Sequence, residues 1–87
     1  MDDYVTYAKP DRIAAGVDQL AAMTEPDRPY TRLVFSPEFD AGRRWLEDQF
    51  KAAGLVCNID AGGSLIGIRA GNGAEPRRKR IIGSHID

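Results

Sequence analysis

The chain carries one cysteine, one histidine and one tryptophan in 87 residues, and it has no long uninterrupted apolar run. A lone Cys57 rules out an internal disulfide, so a disulfide scaffold is excluded and a reducing, cytoplasmic setting is expected. The start Met1-Asp2-Asp3 lacks the positive flank and the apolar stretch of a secretory signal. No segment approaches the roughly 20 apolar residues that cross a bilayer, so no membrane anchor is expected. Twelve basic and thirteen acidic side chains leave a net charge of -1, which offers no general attraction to nucleic acid or to an anionic membrane.

What is present is the composition of an ordinary soluble domain, 43% hydrophobic and 29% charged. Residues 1–87 are expected to form one partial domain, of which the polar residues 1–10 lack fixed structure. A chain of this size buries only about 60 to 65 percent of its unfolded surface, so its core is modest.

Ile13, Val17, Leu20 and Ala21 recur at helical spacing and predict a first helix over Asp11 to Thr24, with Gly16 as a weak helix former within it. Pro26 and Pro29 break the pattern, because each disfavours helical geometry in the residue before it. Ser36-Pro37-Glu38 then starts a second helix. It offers an oxygen to cap free amides, a proline whose missing donor costs nothing at the first position, and an acid at the positive dipole end. Phe39, Gly42, Leu46, Phe50 and Ala53 share one face of this helix, which is expected to pack on a sheet. Gly54 is placed to end the helix in the left-handed conformation at about Ala53, with Leu55 folding back on Phe50.

Leu55, Cys57 and Ile59 alternate with Val56 and Asn58, and Ser64 to Ala70 alternates again through Ile66 and Ile68. Asp60-Ala61-Gly62-Gly63 supplies turn chemistry between them, which predicts an antiparallel hairpin. The breaker-rich stretch from Gly71 to Pro76 is a loop, and Arg80 to Ser84 is expected to form a third short strand ending at His85. The expected fold is therefore α/β, two helices packed on a small, mostly antiparallel three-stranded sheet.

His85 and Asp87 carry the clearest chemistry. Two apart in extended backbone, they project from one face, where the carboxylate can orient the imidazole or approach the same metal. His-x-Asp alone does not define a metal site, since a lone histidine is more often simply solvated. The small residues Gly83 and Ser84 before it allow close backbone approach to a ligand.

Ile82-Gly83-Ser84-His85-Ile86-Asp87 resembles the Gly-Ser-His-x-Asp motif of the M20 family of metallopeptidases and amidohydrolases. Upstream, Thr31-Arg32-Leu33, the helix from Asp40 to Leu46, Ala53-Gly54-Leu55 and Asp60-Ala61-Gly62-Gly63 follow in the order seen in one branch of that family. The branch contains N-carbamoyl-L-amino-acid hydrolases, allantoate amidohydrolases and bacterial β-ureidopropionases. The likeness runs from about Thr31 to Asp87. It implies the start of an M20-type catalytic domain, in which His85 binds one metal of a two-metal zinc or manganese centre and Asp87 orients it. The implied reaction is hydrolysis of a linear amide or ureido C–N bond in a small-molecule substrate, by water activated at the metal. Ser64 departs from the asparagine usual after the glycine of the family's turn. A catalytic zinc takes about three protein ligands, so the chain reads as an amino-terminal piece, inactive alone.

Other features have plainer readings. Arg77-Arg78-Lys79-Arg80 is a basic run without interleaved aromatics and reads as a solvated loop, so no nucleic-acid partner is expected. Cys57 sits in an alternating strand with no base nearby and reads as a small apolar residue. Trp45, Phe39 and Phe50 read as packing residues, and the glycine clusters do not fit a phosphate-binding fingerprint. A second class remains, a non-catalytic interaction module that self-associates through exposed strand edges.

Overall fold

Proline opens both of the helices among the described residues. In the computed structural model, which describes residues 7–71, 73 and 79–87, α1 spans Pro10–Ala21 and α2 spans Pro37–Ala52. The missing proline donor is harmless at that position, and its fixed φ is already helical. α2 is also capped as its sequence predicts: the Ser36 hydroxyl accepts a hydrogen bond from the Phe39 amide at 3.1 Å. α1 has no side-chain cap at Lys9 and ends three residues before the expected Thr24.

The end of α2 is set by Gly54, whose φ of +87° favours a residue without a side chain. The Leu55 amide reaches back to the Phe50 carbonyl at 3.0 Å and the Gly54 amide to the Lys51 carbonyl at 2.9 Å, the paired bonds of a Schellman motif.

Two short strands follow, β1 (Val56–Ile59) and β2 (Leu65–Ile68), paired antiparallel with Val56 opposite Ile68 and Ile59 opposite Leu65. Asp60 builds the turn between them. Its Oδ1 accepts from the Gly62 and Ser64 amides, each at 2.9 Å, while its own amide donates to the Ser64 carbonyl at 3.0 Å.

One face of the hairpin lies on α2. Cys57 and Leu65 turn toward the helix, and Gly67 leaves room there for Phe50 and Leu55. On the outer face Val56 is 73% exposed, and Ile66 and Ile68 are exposed beside it. The alternation expected through Ile66 and Ile68 is present, but those two residues face away from the helix. Both faces of β2 are apolar, the pattern of a strand that is normally covered on both sides.

The third strand expected over Arg80 to Ser84 does not form: among the described residues the sheet contains only β1 and β2. A strand exists only through hydrogen bonds to a neighbour, and this segment meets neither edge of the hairpin, leaving Ile82 98% exposed. The expectations for residues 1–6, for most of the 71–76 loop and for Arg77 and Arg78 lie outside the described residues.

Burial is sparse. Among the described residues Phe39, 8% exposed, is the one buried large apolar side chain. The Phe35 ring meets it edge-on at 5.8 Å, and the Arg43 guanidinium covers it at 5.4 Å while donating to the Gly63 carbonyl at 2.9 Å. This cluster ties α2 to the hairpin turn. α1 is held more loosely: a β-carbon at Gly16 would stand 3.6 Å from Trp45 Cη2, and Ile13 and Val17 remain exposed. The radius of gyration, 15.4 Å, exceeds the about 12 Å of a compact chain of this length.

Candidate functional site

The segment carrying the only histidine is anchored by backbone rather than by a sheet. Arg32, between the helices, directs all three of its guanidinium nitrogens at carbonyl oxygens. Nε donates to Met23 at 3.0 Å, Nη2 to Leu20 at 2.6 Å and Nη1 to Ile86 at 2.7 Å. Leu20 lies in the last turn of α1 and Met23 two residues beyond it, where the helix dipole favours a cation. The third lies between His85 and Asp87.

Ile86 supplies the packing. A β-carbon at the buried Gly42 of α2 would lie 3.5 Å from Ile86 Cδ1 and also 3.5 Å from the Arg32 stem. This point of the helix face therefore meets both the arginine and the tail that it holds. An open cleft of about 290 Å³ adjoins this anchor, lined by Val17, Leu20, Tyr30, Arg32, Ile86 and Asp87.

His85 itself stands in solvent, with its side chain 81% exposed. Its Nδ1 is 3.0 Å from the main-chain oxygen of Asp87 and 3.6 Å from Asp87 Oδ1. The expected pair is thus brought together, with the main-chain oxygen as the nearer acceptor. With the proton on Nδ1, the hydrogen bond runs to Asp87 and the Nε2 lone pair of this exposed ring stays free. Among the described residues no three His, Cys, Asp or Glu side chains converge. These residues fit one ligand and its orienter, not a whole coordination sphere.

The other candidates take structural roles. Cys57 is half-buried, with Sγ 3.9 Å from the Glu47 carbonyl and 4.0 Å from the Leu55 carbonyl, distances of packing rather than of an activated nucleophile. Trp45 packs at the α1–α2 contact and Phe50 against the hairpin. Arg32 is the residue whose role the sequence did not disclose. Thr31-Arg32-Leu33 marks its position in the chain, but a partner 54 positions away leaves no local pattern.

Comparison with known proteins adds one relative. Over 81 residues the chain is 36% identical to the N-carbamoyl-L-amino-acid amidohydrolase of Paenarthrobacter aurescens. The match takes in 92% of this chain and 19% of that protein. No protein-family model matches the chain, and no solved structure matches it. Among the described residues no helix is long and apolar enough to cross a membrane. The chain is thus similar to a segment about one fifth the length of an amidohydrolase.

Proposed function

We propose that the chain is the histidine-bearing amino-terminal segment of a metal-dependent amidohydrolase of the M20 type, acting on linear amide or ureido C–N bonds. The observation that carries this reading is the 36% identity to an N-carbamoyl-L-amino-acid amidohydrolase, sustained over nearly the whole chain. The His85–Asp87 geometry supports it, because Nδ1 lies beside Asp87 oxygens while the side chain is otherwise 81% exposed.

In this reading His85 offers Nε2 to a zinc or manganese ion, and Asp87 holds the Nδ1 proton so that the ring keeps one tautomer and one direction. When bound, the ion polarises the scissile carbonyl and makes hydroxide available near neutral pH. The substrate class is N-carbamoyl amino acids or allantoate, and the setting is cytoplasmic, where Cys57 stays a thiol. The remaining ligands and the proton shuttle come from outside these 87 residues, so this segment alone turns over no substrate. The apolar outer face of the hairpin, with Val56 and Ile68 exposed, accords with a larger domain that covers it.

Reconstitution tests the reading. The chain is mixed with the remaining portion of the Paenarthrobacter aurescens enzyme and zinc or manganese, and hydrolysis of N-carbamoyl amino acids and of allantoate is measured. Hydrolysis that needs both pieces and His85 supports it; two folded pieces that associate without hydrolysis overturn it.

The open edges of β1 and β2 favour a second reading, a non-catalytic module that pairs edge to edge with another copy. It requires a dimer of the chain by sedimentation, abolished by Lys substitutions at Val56 and Ile68. A monomer at high concentration removes this alternative.

A further inference from the structure

We infer that Arg32 is a positioning residue for His85: its guanidinium fixes the backbone on which the imidazole and its orienting oxygen both depend. The inference rests on the amidohydrolase reading for its purpose, but not for its geometry. Nη1 of Arg32 holds the Ile86 carbonyl at 2.7 Å, while Nε and Nη2 hold Met23 and Leu20 at 3.0 and 2.6 Å. One planar fork therefore joins the tail to the C-terminal end of α1. Its three donors leave in fixed directions, which a lysine ammonium on its flexible stem does not reproduce.

The held carbonyl belongs to the residue between His85 and Asp87. Two consequences follow. The peptide plane of Ile86 is fixed, so its side chain stays against Gly42. The next residue is then set where its main-chain oxygen lies 3.0 Å from His85 Nδ1. Beside the packing of Ile86 on Gly42, the clamp is the described contact that orients this exposed tail. The chain β-pairs no part of it, and His85 stands in solvent. An imidazole free to rotate and to exchange tautomers is a poorer ligand than one held with Nε2 outward.

The readout is the tautomer of His85 in the 87-residue chain without metal, from nitrogen-15 chemical shifts of the imidazole, together with backbone order of Ile86 and Asp87 from relaxation. In the parent chain the expected state is a predominantly Nδ1-protonated neutral ring, with order parameters near about 0.85 at Ile86. In Arg32→Met the ring takes the tautomer mixture of free histidine and the order at Ile86 and Asp87 falls below about 0.6, while amide shifts of the Asp60 turn and of the Ser36 cap stay in place. Arg32→Lys, which keeps the charge and most of the stem over Gly42, restores the tail only in part. Unchanged His85 signals in either folded variant overturn the inference. Collapse of the whole fold in both variants overturns it as well, since Arg32 would then support the domain rather than the site. A chain whose His85 depends on Arg32 but whose reconstituted enzyme hydrolyses nothing would sink the amidohydrolase reading and leave the clamp standing.

Discussion

Gly67 of β2 lies beneath the ring of Phe50 in α2, so close that a β-carbon there would stand 2.6 Å from Phe50 Cδ2 and 2.8 Å from Leu55 Cδ1. The helix and the hairpin meet through this missing side chain. Gly67→Ala is expected to destabilise the chain by about 1 to 3 kcal/mol through overpacking. Gly71→Ala, at a position with no atom of the described residues within 4 Å, should change stability by no more than about 0.5 kcal/mol. Urea unfolding of both variants at equal slope checks the contrast; equal stability would place Phe50 elsewhere.

The start of α2 depends on one hydroxyl. Ser36→Ala removes the acceptor for the Phe39 amide and is expected to cost about 1 kcal/mol, whereas Ser36→Asp keeps an acceptor and adds a charge favourable to the dipole. Because Phe39 is the buried center of the described core, loss of the cap should also weaken near-ultraviolet aromatic ellipticity. An Ala variant with the parent's midpoint would refute the cap.

The one side-chain oxygen that shapes the hairpin turn is Asp60 Oδ1, which accepts two amides. Asp60→Ala should destabilise the hairpin by about 1 to 2 kcal/mol, near the net value of two hydrogen bonds. Asp60→Asn retains an oxygen in the same place and should remain within about 0.5 kcal/mol of the parent. Equal losses in the two variants would show that charge, not the turn's hydrogen bonds, is what position 60 supplies.

The cap of α2, its Schellman end and the Asp60 turn share a property that explains what was legible in the sequence. Ser36 with Phe39, Gly54 and Leu55 with Phe50 and Lys51, and Asp60 with Gly62 and Ser64 all interact within five positions. Residue type and spacing specify such contacts directly. The boundaries of α2 and the existence of the hairpin followed from them.

What escaped the sequence depends on distant partners. Arg80 to Ser84 has the apolar character of a strand, but pairing requires an edge, and no local signal says whether one is at hand. Ile66 and Ile68 alternate as a buried row would, yet Leu65 is apolar too, so the pattern could not tell which face of β2 meets α2. The pairing of His85 with Asp87 was readable from a spacing of two. Its dependence on Arg32 was not, since the contact spans 54 positions. Gly42 looked like one more residue on an apolar helix face, and its function as the seat of Arg32 and Ile86 appears only in three dimensions.

The most direct test replaces the matching segment of the Paenarthrobacter aurescens enzyme with this chain and compares the chimera carrying His85 with its His85→Ala variant in hydrolysis of an N-carbamoyl-L-amino acid. With His85 present, the metal-loaded chimera is expected to hydrolyse the substrate, and the substitution should lower kcat by at least about a hundredfold while the protein stays folded. A folded chimera with no activity, or an Ala variant as fast as its parent, would contradict the assignment of His85 to the metal centre.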